Sequence, residues 1–357
     1  MFNRGISELL EALPEFEGLD GSSVKRLLTR AYLEGFDLAD IADDTVRPDL
    51  AAQLRRLVAS LETHAVLVPN VDRQARRACA FVAAESLNLL GGVVGPDASG
   101  AGEGFAAFGS RERYRRIEAS LLYVIAAFDA NAVIAVREIE ELPIPTPDVV
   151  ESTASEALAA DWAMREVLAL IRLSTPRADV FPVEPGPVVI GDRGDVRLES
   201  LVRIALWRRI GEIVRGHLQW LRLDNDAPES RAADALHELG ALLEGEFAGA
   251  YADIAHLVRL LYFVCGETAG RAMRTVPPPE GDPSAFIDYQ RRRCRDKPLL
   301  WPSAERFRER CLPGPAFHAA VSMPTGSGKG AVAELAVAQA LSRLSESSWN
   351  FDGGPVG

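Results

Sequence analysis

Apolar residues recur every three or four positions through residues 1–270, and this spacing predicts one α-helix after another. The leucines Leu50, Leu54, Leu57 and Leu61 show the pattern clearly, because a helix brings side chains at this spacing onto one face. The main expectation for the fold is therefore a large helical region whose apolar faces pack against one another.

Glycine and proline predict where some of these helices end. A helix over residues 71–90 is predicted to stop at Gly91-Gly92. An apolar stripe runs from Ile117 to Ile139 and ends at the prolines of Leu142-Pro-Ile-Pro-Thr-Pro147. Further stripes predict helices over residues 150–173, 198–221, 229–247 and 251–265.

The composition limits the class of protein. A chain of 357 residues can hold two domains, and a hydrophobic content of 48% excludes wholesale disorder. The 39 basic and 51 acidic residues give a net charge of −12, which argues against strong non-specific nucleic-acid binding by the chain as a whole. A local basic face remains compatible with that charge.

Cysteine usage and the lack of targeting signals predict a cytoplasmic protein. The four cysteines form no Cys-x-x-Cys pair, and this scatter predicts reduced thiols and no metal site. The N-terminus lacks the apolar core of a signal peptide. The longest apolar stretch, Leu121 to Val136, is interrupted by Asp129 and Asn131 and is too short to span a bilayer, so no membrane association is expected.

The segment with recognisable chemistry is Ala319-Ala-Val-Ser-Met-Pro-Thr-Gly-Ser-Gly-Lys329, which predicts a buried strand, a glycine-rich turn and the start of a helix. Glycine lets backbone N–H groups approach an anion closely, and the positive end of a helix favours a phosphate. Lys329 is predicted to reach the β- and γ-phosphates of a nucleotide. The predicted nucleotide-binding residues are Thr325, Gly326, Ser327, Gly328, Lys329, Gly330 and Ala331.

The heptapeptide Met323-Pro-Thr-Gly-Ser-Gly-Lys329 resembles motif I of the superfamily 2 (DEAD/DEAH-box-like) helicases and translocases. Val332-Ala-Glu-Leu335 is also similar to the helix that follows this motif. The resemblance covers roughly residues 312–345 and implies the first β-strand, P-loop and helix of a RecA-like α/β domain. It further implies ATP and Mg²⁺ as cofactors, and DNA or RNA as the partner of the intact protein.

Two positions depart from the consensus P-loop, G-x-x-x-x-G-K-[ST]. Met323 stands in place of the first glycine, and Gly330 stands in place of the Ser/Thr whose hydroxyl binds Mg²⁺. Mg²⁺ binding is therefore expected to be weak or impaired. Gly-Ser-Gly-Lys-Gly is also similar to the loop of adenylate kinases, so Gly330 does not by itself exclude nucleotide binding.

The acidic Asp-Glu motif with which superfamily 2 holds Mg²⁺ does not occur in the sequence, and no second RecA-like lobe is evident. We therefore expect the N-terminal part of a helicase-like, nucleic-acid-dependent ATPase, arising from a truncation, a frameshift or a split gene. Such a chain would bind ATP or ADP phosphates weakly without hydrolysing ATP, and no catalytic residue is assigned. In that family an apolar strand and a Pro-Thr-Arg type motif follow the helix, whereas here Trp349 and Phe351 could begin a strand that Asp352-Gly-Gly-Pro355 would end.

The predicted domains are a helical N-terminal region over residues 1–276, a linker and approach segment over 277–311, and an incomplete RecA-like P-loop domain over 312–357. Pro277-Pro-Pro-Glu-Gly-Asp-Pro283 marks the start of the linker. The alternative hypothesis is a helical protein-interaction module with a vestigial P-loop, whose helical region binds a protein partner. A small-molecule kinase-like P-loop protein is a third hypothesis.

Three further features can each be interpreted as functional or as purely structural. The basic run Gln290-Arg-Arg-Arg-Cys-Arg-Asp-Lys297 fits a solvated helix face better than a nucleic-acid contact. Trp301 or Phe307 could contact adenine, since residues upstream of motif I do so in the family that the loop resembles, but simple packing is the stronger expectation. His217 lies on an apolar helix face and is expected to be a satisfied core histidine.

Overall fold

The structure is a computed structural model. It describes residues 4–14, 21–40, 48–94, 111–140, 151–174, 194–224, 227–245, 247, 250–279, 283–311 and 329–347. Seven helices fall in the first part of the chain: α1 (Arg4–Glu11), α2 (Gly21–Asp40), α3 (Pro48–Val66), α4 (Arg73–Val94), α5 (Arg111–Ile125), α6 (Asp129–Glu140) and α7 (Glu151–Arg172). Six follow: α8 (Gly194–Leu221), α9 (Ala232–Gly245), α10 (Ala252–Gly270), α11 (Ser284–Asp296), α12 (Pro302–Cys311) and α13 (Lys329–Ser347).

The mainly α fold class is confirmed. Across the described ranges the chain forms no β-strand, and its β-pairing is limited to one isolated antiparallel bridge between Ala272 and Leu299. The strand predicted at Ala319–Met323 lies outside the described residues. The first strand of a RecA-like domain therefore stays a prediction.

The chain divides into two compact units. The first unit comprises residues 1–215 and 231–265, and the second comprises 216–230 and 266–357. Helices α8 and α10 each contribute residues to both units. The predicted linker from Pro277 lies within the second unit, and the sequence-based domain limits stay predictions.

Helix α4 is the central helix of the first unit. Its residues Ala78–Leu87 are all buried, as expected for a helix with neighbours on every side. Helices α1, α2, α3 and α5 all pack against it. On α3, the predicted leucine stripe is confirmed, since Leu50, Leu54, Leu57 and Leu61 are each at most 1% exposed.

The start of α4 is fixed by a side-chain cap, but its predicted end is wrong. Asp72 Oδ2 accepts hydrogen bonds from the backbone N–H groups of Gln74 at 2.9 Å and Ala75 at 3.2 Å. The helix does not stop at Gly91-Gly92 and continues to Val94. A Cβ atom at Gly91 would lie 3.3 Å from Nη2 of Arg115, the end of a flexible side chain on α5, and the helix passes through this glycine without ending.

The apolar stripe from Ile117 to Ile139 is divided between α5 and α6. The break is centred on Ala127, whose φ of 63° is left-handed. The N–H of Phe128 donates to Tyr123 O at 2.8 Å and the N–H of Ala127 donates to Val124 O at 3.0 Å. These bonds form a Schellman-type helix end, which sequence reasoning usually locates from a glycine.

The second unit has its own apolar core, which joins α11, α12 and α13. The segment before α11 is attached through its backbone, because Met273 N–H donates to Pro298 O at 2.7 Å and Leu300 N–H donates to Arg271 O at 2.8 Å. The buried core residues are Met273, Val276, Phe286, Cys294, Leu300, Ala304, Phe307, Val332, Leu335 and Ala338.

Candidate functional site

The predicted nucleotide-binding loop is only partly within the described residues. Thr325, Gly326, Ser327 and Gly328 lie outside them. Lys329, Gly330 and Ala331 form the first turn of α13. Lys329 and Gly330 are exposed and Ala331 is partly buried. The predicted helix after the loop is therefore confirmed, whereas the cradle itself stays a prediction.

Helix α13 is held by one apolar face. Val332, Leu335 and Ala338 are 4%, 1% and 6% exposed and belong to the core of the second unit. Ser342 on the same face is fully buried, and its hydroxyl accepts a hydrogen bond from Phe286 N–H at 3.1 Å. The axis of α13 is thus fixed against α11 and α12 while its first turn faces solvent.

The aromatic residues ahead of the loop separate into a buried one and an exposed one. Phe307 is 6% exposed and packs in the core of the second unit, which confirms simple packing for this side chain. Trp301 is 44% exposed at the start of α12. An adenine contact therefore stays a prediction for Trp301 alone.

The basic run falls on α11 and its C-terminus. Arg291, Arg292, Arg295 and Lys297 are exposed, whereas Cys294 is buried in the core. Arg293 lies between these environments, with its Nη1 3.8 Å from Glu334 Oε2 of α13. The run is a solvated helix face, as expected, and its one described ion pair is with α13.

His217 is a satisfied buried histidine, as the sequence predicts. Its Nδ1 lies 2.7 Å from Ser230 Oγ and its Nε2 lies 2.8 Å from Thr268 Oγ1. The ring also stacks on Trp220 with 5.9 Å between centroids. Complete burial lowers the pKa of His217 to about 3, so this histidine is neutral and structural.

A cluster of two carboxylates and one imidazole lies in the first unit, and sequence reasoning missed it. Glu62 comes from the last part of α3, Glu118 from α5 and His256 from α10. Nε2 of His256 is 3.0 Å from Glu62 Oε1 and 3.2 Å from Glu118 Oε1. One ligand atom from each residue lies within 4.8 Å of the other two, so the set could hold a metal ion.

Burial and mutual charge shape the electrostatics of this cluster. Burial raises the pKa of Glu118, and Glu62 adds to this effect, while His256 opposes it. Burial alone would lower the pKa of His256, but its hydrogen bonds to Glu118 and Glu62 and their charges outweigh burial and raise it. Burial, followed by the negative charges of Glu118 and Glu62, also raises the pKa of Tyr114, whose ring centroid is 6.2 Å from that of His256.

No short motif joins these three residues, because they lie 56 and 138 positions apart in the sequence (118 − 62 and 256 − 118). Glu62 lies on a buried face of α3 with Val58, Ala65 and Val66 one turn away, and an isolated polar residue on a buried face is the signal that could have found it. His256 has Asp253 and Arg259 one turn away, so it carries no such signal. Only the packing of α3, α5 and α10 brings the side chains together.

A second buried carboxylate, Glu85 of α4, is fully satisfied by neighbouring hydroxyl and amide groups. Tyr32 donates to its Oε2, and Tyr123 donates to its Oε1 at 2.9 Å. Asn131 also donates to Oε1 at 3.4 Å. Tyr123 and Asn131 line a cavity of about 400 Å³ between α4, α5 and α6, and Glu112, Arg115 and Arg116 form its charged side. The carboxylate of Glu112 is itself paired with both arginines, so the two arginines of this lining exceed its one carboxylate by a single positive charge.

None of the helices in the described part of the chain has the length and apolar character that a membrane-crossing segment requires. Comparison of the sequence with protein-family models and with curated proteins gives no match.

Proposed function

We propose that this chain binds the phosphates of ATP or ADP at the loop that ends in Lys329, as the N-terminal part of a helicase-like, nucleic-acid-dependent ATPase. The observation that carries the proposal is the start of α13 at Lys329, immediately after Met323-Pro-Thr-Gly-Ser-Gly. A glycine-rich turn that leads directly into a helix supplies free N–H groups and the positive end of the helix dipole to an anion.

The burial pattern of α13 supports this role. Its core face fixes the helix, and the exposed Lys329 and Gly330 leave the first turn open to a ligand. Glu334 is the nearest acidic residue along α13, and its carboxylate is directed to Arg293 at 3.8 Å. Its charge would therefore oppose a phosphate at the helix start less than a free carboxylate would.

The other face of α13 gives a second line of support. Val337 and Leu341, one helical turn apart, are 56% and 54% exposed. The helix after a P-loop packs against a parallel sheet, and apolar side chains on that face are the ones such a sheet would cover. This pattern is what a RecA-like domain requires of its first helix.

The predicted cofactor is ATP with weak or impaired Mg²⁺ binding. Gly330 occupies the position of the hydroxyl that normally binds the metal, and it offers no side-chain ligand. The Asp-Glu motif of the helicase family does not occur in the sequence. We therefore expect nucleotide binding without ATP hydrolysis by this chain, in the cytoplasm, with DNA or RNA as the partner of the intact protein.

Nucleotide titration of the full chain tests the proposal. Calorimetry with ATP and ADP, with and without Mg²⁺, should give one weak site whose affinity falls at least tenfold in Lys329→Ala. Lys297→Ala is the matched control, because Lys297 is an exposed lysine in the same compact unit and lies at the end of α11. Binding that survives in Lys329→Ala, or no binding to the folded wild-type chain, would contradict the proposal and favour a helical interaction module with a vestigial P-loop.

A further inference from the structure

The carboxylate–imidazole cluster offers a mixed set of metal-ligand atoms inside the first unit. It comprises one imidazole nitrogen, from His256, and carboxylate oxygens from Glu62 and Glu118. Oxygen and imidazole-nitrogen ligands of this kind bind divalent first-row transition ions, Zn²⁺ among them. The three ligands come from three different helices, so the packed helices and not a single loop set their positions.

Two of the three ligand distances are close to those around a bound ion. A tetrahedral ion with ligand bonds of about 2.0–2.1 Å separates neighbouring ligand atoms by about 3.3 Å. His256 Nε2 lies 3.0 Å from one carboxylate oxygen and 3.2 Å from the other. The ligand atoms of Glu62 and Glu118 lie within 4.8 Å of each other, so all three atoms are near enough for one ion to bind them after side-chain adjustment.

The hydrogen bonding of the cluster leaves one buried oxygen incompletely satisfied. His256 Nε2 carries a single N–H, which is aligned on Glu118 Oε1. Oε1 of Glu62 lies 3.0 Å from the same nitrogen and has to share this one N–H, although Glu62 is only 8% exposed. A buried carboxylate oxygen without a full hydrogen bond is costly, and an ion in contact with both carboxylates would satisfy it.

Both carboxylates of the cluster are largely shielded from solvent, since the Glu62 and Glu118 side chains are only 11% and 12% exposed. Two carboxylates with a neutral imidazole and a divalent cation are electrically balanced.

We propose that Glu62, Glu118 and His256 form a binding site for a divalent transition-metal ion, with Zn²⁺ as the ion that best suits the ligand set. The imidazole of His256 is 29% exposed, which gives an ion a route from solvent. Three protein ligands leave a fourth tetrahedral position for water. The site belongs to the first unit and is independent of the nucleotide-binding proposal.

Metal titration of the full chain tests this site. After treatment with a chelator, the wild-type chain should bind one equivalent of Zn²⁺ by calorimetry, and Co²⁺ should give visible d–d absorption. Glu62→Gln and His256→Asn should each weaken binding at least tenfold. His237→Asn is the matched control, because His237 is an exposed histidine of α9 in the same unit and should leave binding unchanged.

Spectroscopy of the wild-type protein tests the metal site even if a variant fails to fold. The X-ray absorption spectrum of the Zn²⁺-loaded chain should show nitrogen and oxygen ligands at about 2.0–2.1 Å with imidazole scattering, and no sulfur at about 2.3 Å. A sulfur ligand, absence of Zn²⁺ and Co²⁺ binding, or unchanged binding in folded Glu62→Gln and His256→Asn chains would overturn the proposal.

Discussion

Gly211 of α8 lies so close to the indole of Trp162 of α7 that a Cβ atom at Gly211 would be 2.0 Å from Cζ3 of Trp162. One turn further along α8, Arg215 donates to Glu166 Oε1 at 2.6 Å, and its guanidinium lies 5.3 Å from the Trp162 ring centroid. The absence of a side chain at Gly211 thus allows α8 to lie close to Trp162 of α7. The ion pair of Arg215 and Glu166 lies beside this contact.

Gly211→Ala should destabilise the protein. The added methyl group would force Trp162, which is 7% exposed, out of its position, and overpacking of this kind costs about 1–3 kcal/mol. Gly216→Ala in the same helix is the control, because a Cβ atom there meets nothing within 4 Å. That change should stabilise the helix by about 0.5–1 kcal/mol. Urea unfolding followed by circular dichroism measures both, and equal effects of the two variants would refute the close contact.

Local patterns in the sequence predict helices well and helix ends less well. The leucine stripe of α3 and the helix over 198–221 follow from spacing alone, because burial of one face requires that spacing. The ends of α5, α7 and α8 carry Ala127, Leu173 and Leu223 at φ of 63°, 53° and 61°. Left-handed residues at helix ends are usually glycine or asparagine, so these three ends have no clear local signal.

The two candidate sites also differ in how clearly the sequence indicates them. Lys329 and Gly330 are part of a contiguous motif, and contiguous motifs can be found without a structure. The cluster of Glu62, Glu118 and His256 depends on how three helices pack, and one sequence does not specify that packing in any short segment. Predictions made from the sequence therefore include the first site and omit the second.

Gly330→Ser should tighten Mg²⁺-dependent ATP binding. The serine hydroxyl restores the metal ligand of the consensus P-loop, and a Cβ atom at Gly330 meets nothing within 4 Å. We expect about a tenfold gain in affinity, equivalent to about 1.4 kcal/mol, in the presence of Mg²⁺ and little gain in its absence. Gly330→Ala separates this effect from helix propensity, because it adds the methyl group without the hydroxyl. Equal gains for serine and alanine would rule out a metal contact.

The four thiols should differ sharply in reactivity. Burial raises the pKa of Cys79 and of Cys294 to about 12, and it also raises the pKa of Cys265. All three side chains are buried, whereas Cys311 at the end of α12 is partly exposed. Since the thiolate is the reactive form, Ellman's reagent should modify one thiol rapidly in the native protein and all four after unfolding in urea. The folded Cys311→Ser variant should lose the rapid reaction with Ellman's reagent. If the rapid reaction persists in this variant, one of the buried thiols is accessible to the reagent.

Stability should fall between pH 6.5 and about pH 3 because of His217. Burial lowers the pKa of this residue to about 3 in the folded protein, while the unfolded chain keeps a value near the ordinary 6.5. Above pH 6.5 the imidazole is neutral in both states, so its contribution to stability is complete. As the pH falls below 6.5 the unfolded chain binds a proton that the folded chain excludes, and stability is lost at up to about 1.4 kcal/mol per pH unit.

The comparison of wild type with His217→Gln isolates this contribution from that of the carboxylates. Between pH 7 and pH 5 the free energy of unfolding of the wild-type chain should fall by about 2 kcal/mol more than that of the variant. The variant should be less stable at pH 7, because glutamine cannot reproduce the bonds to both Ser230 and Thr268. Urea titrations at the two pH values give the four free energies that are needed. If both chains lose the same stability, the buried imidazole takes up its proton without unfolding, and His217 must then be able to reach solvent in the folded state.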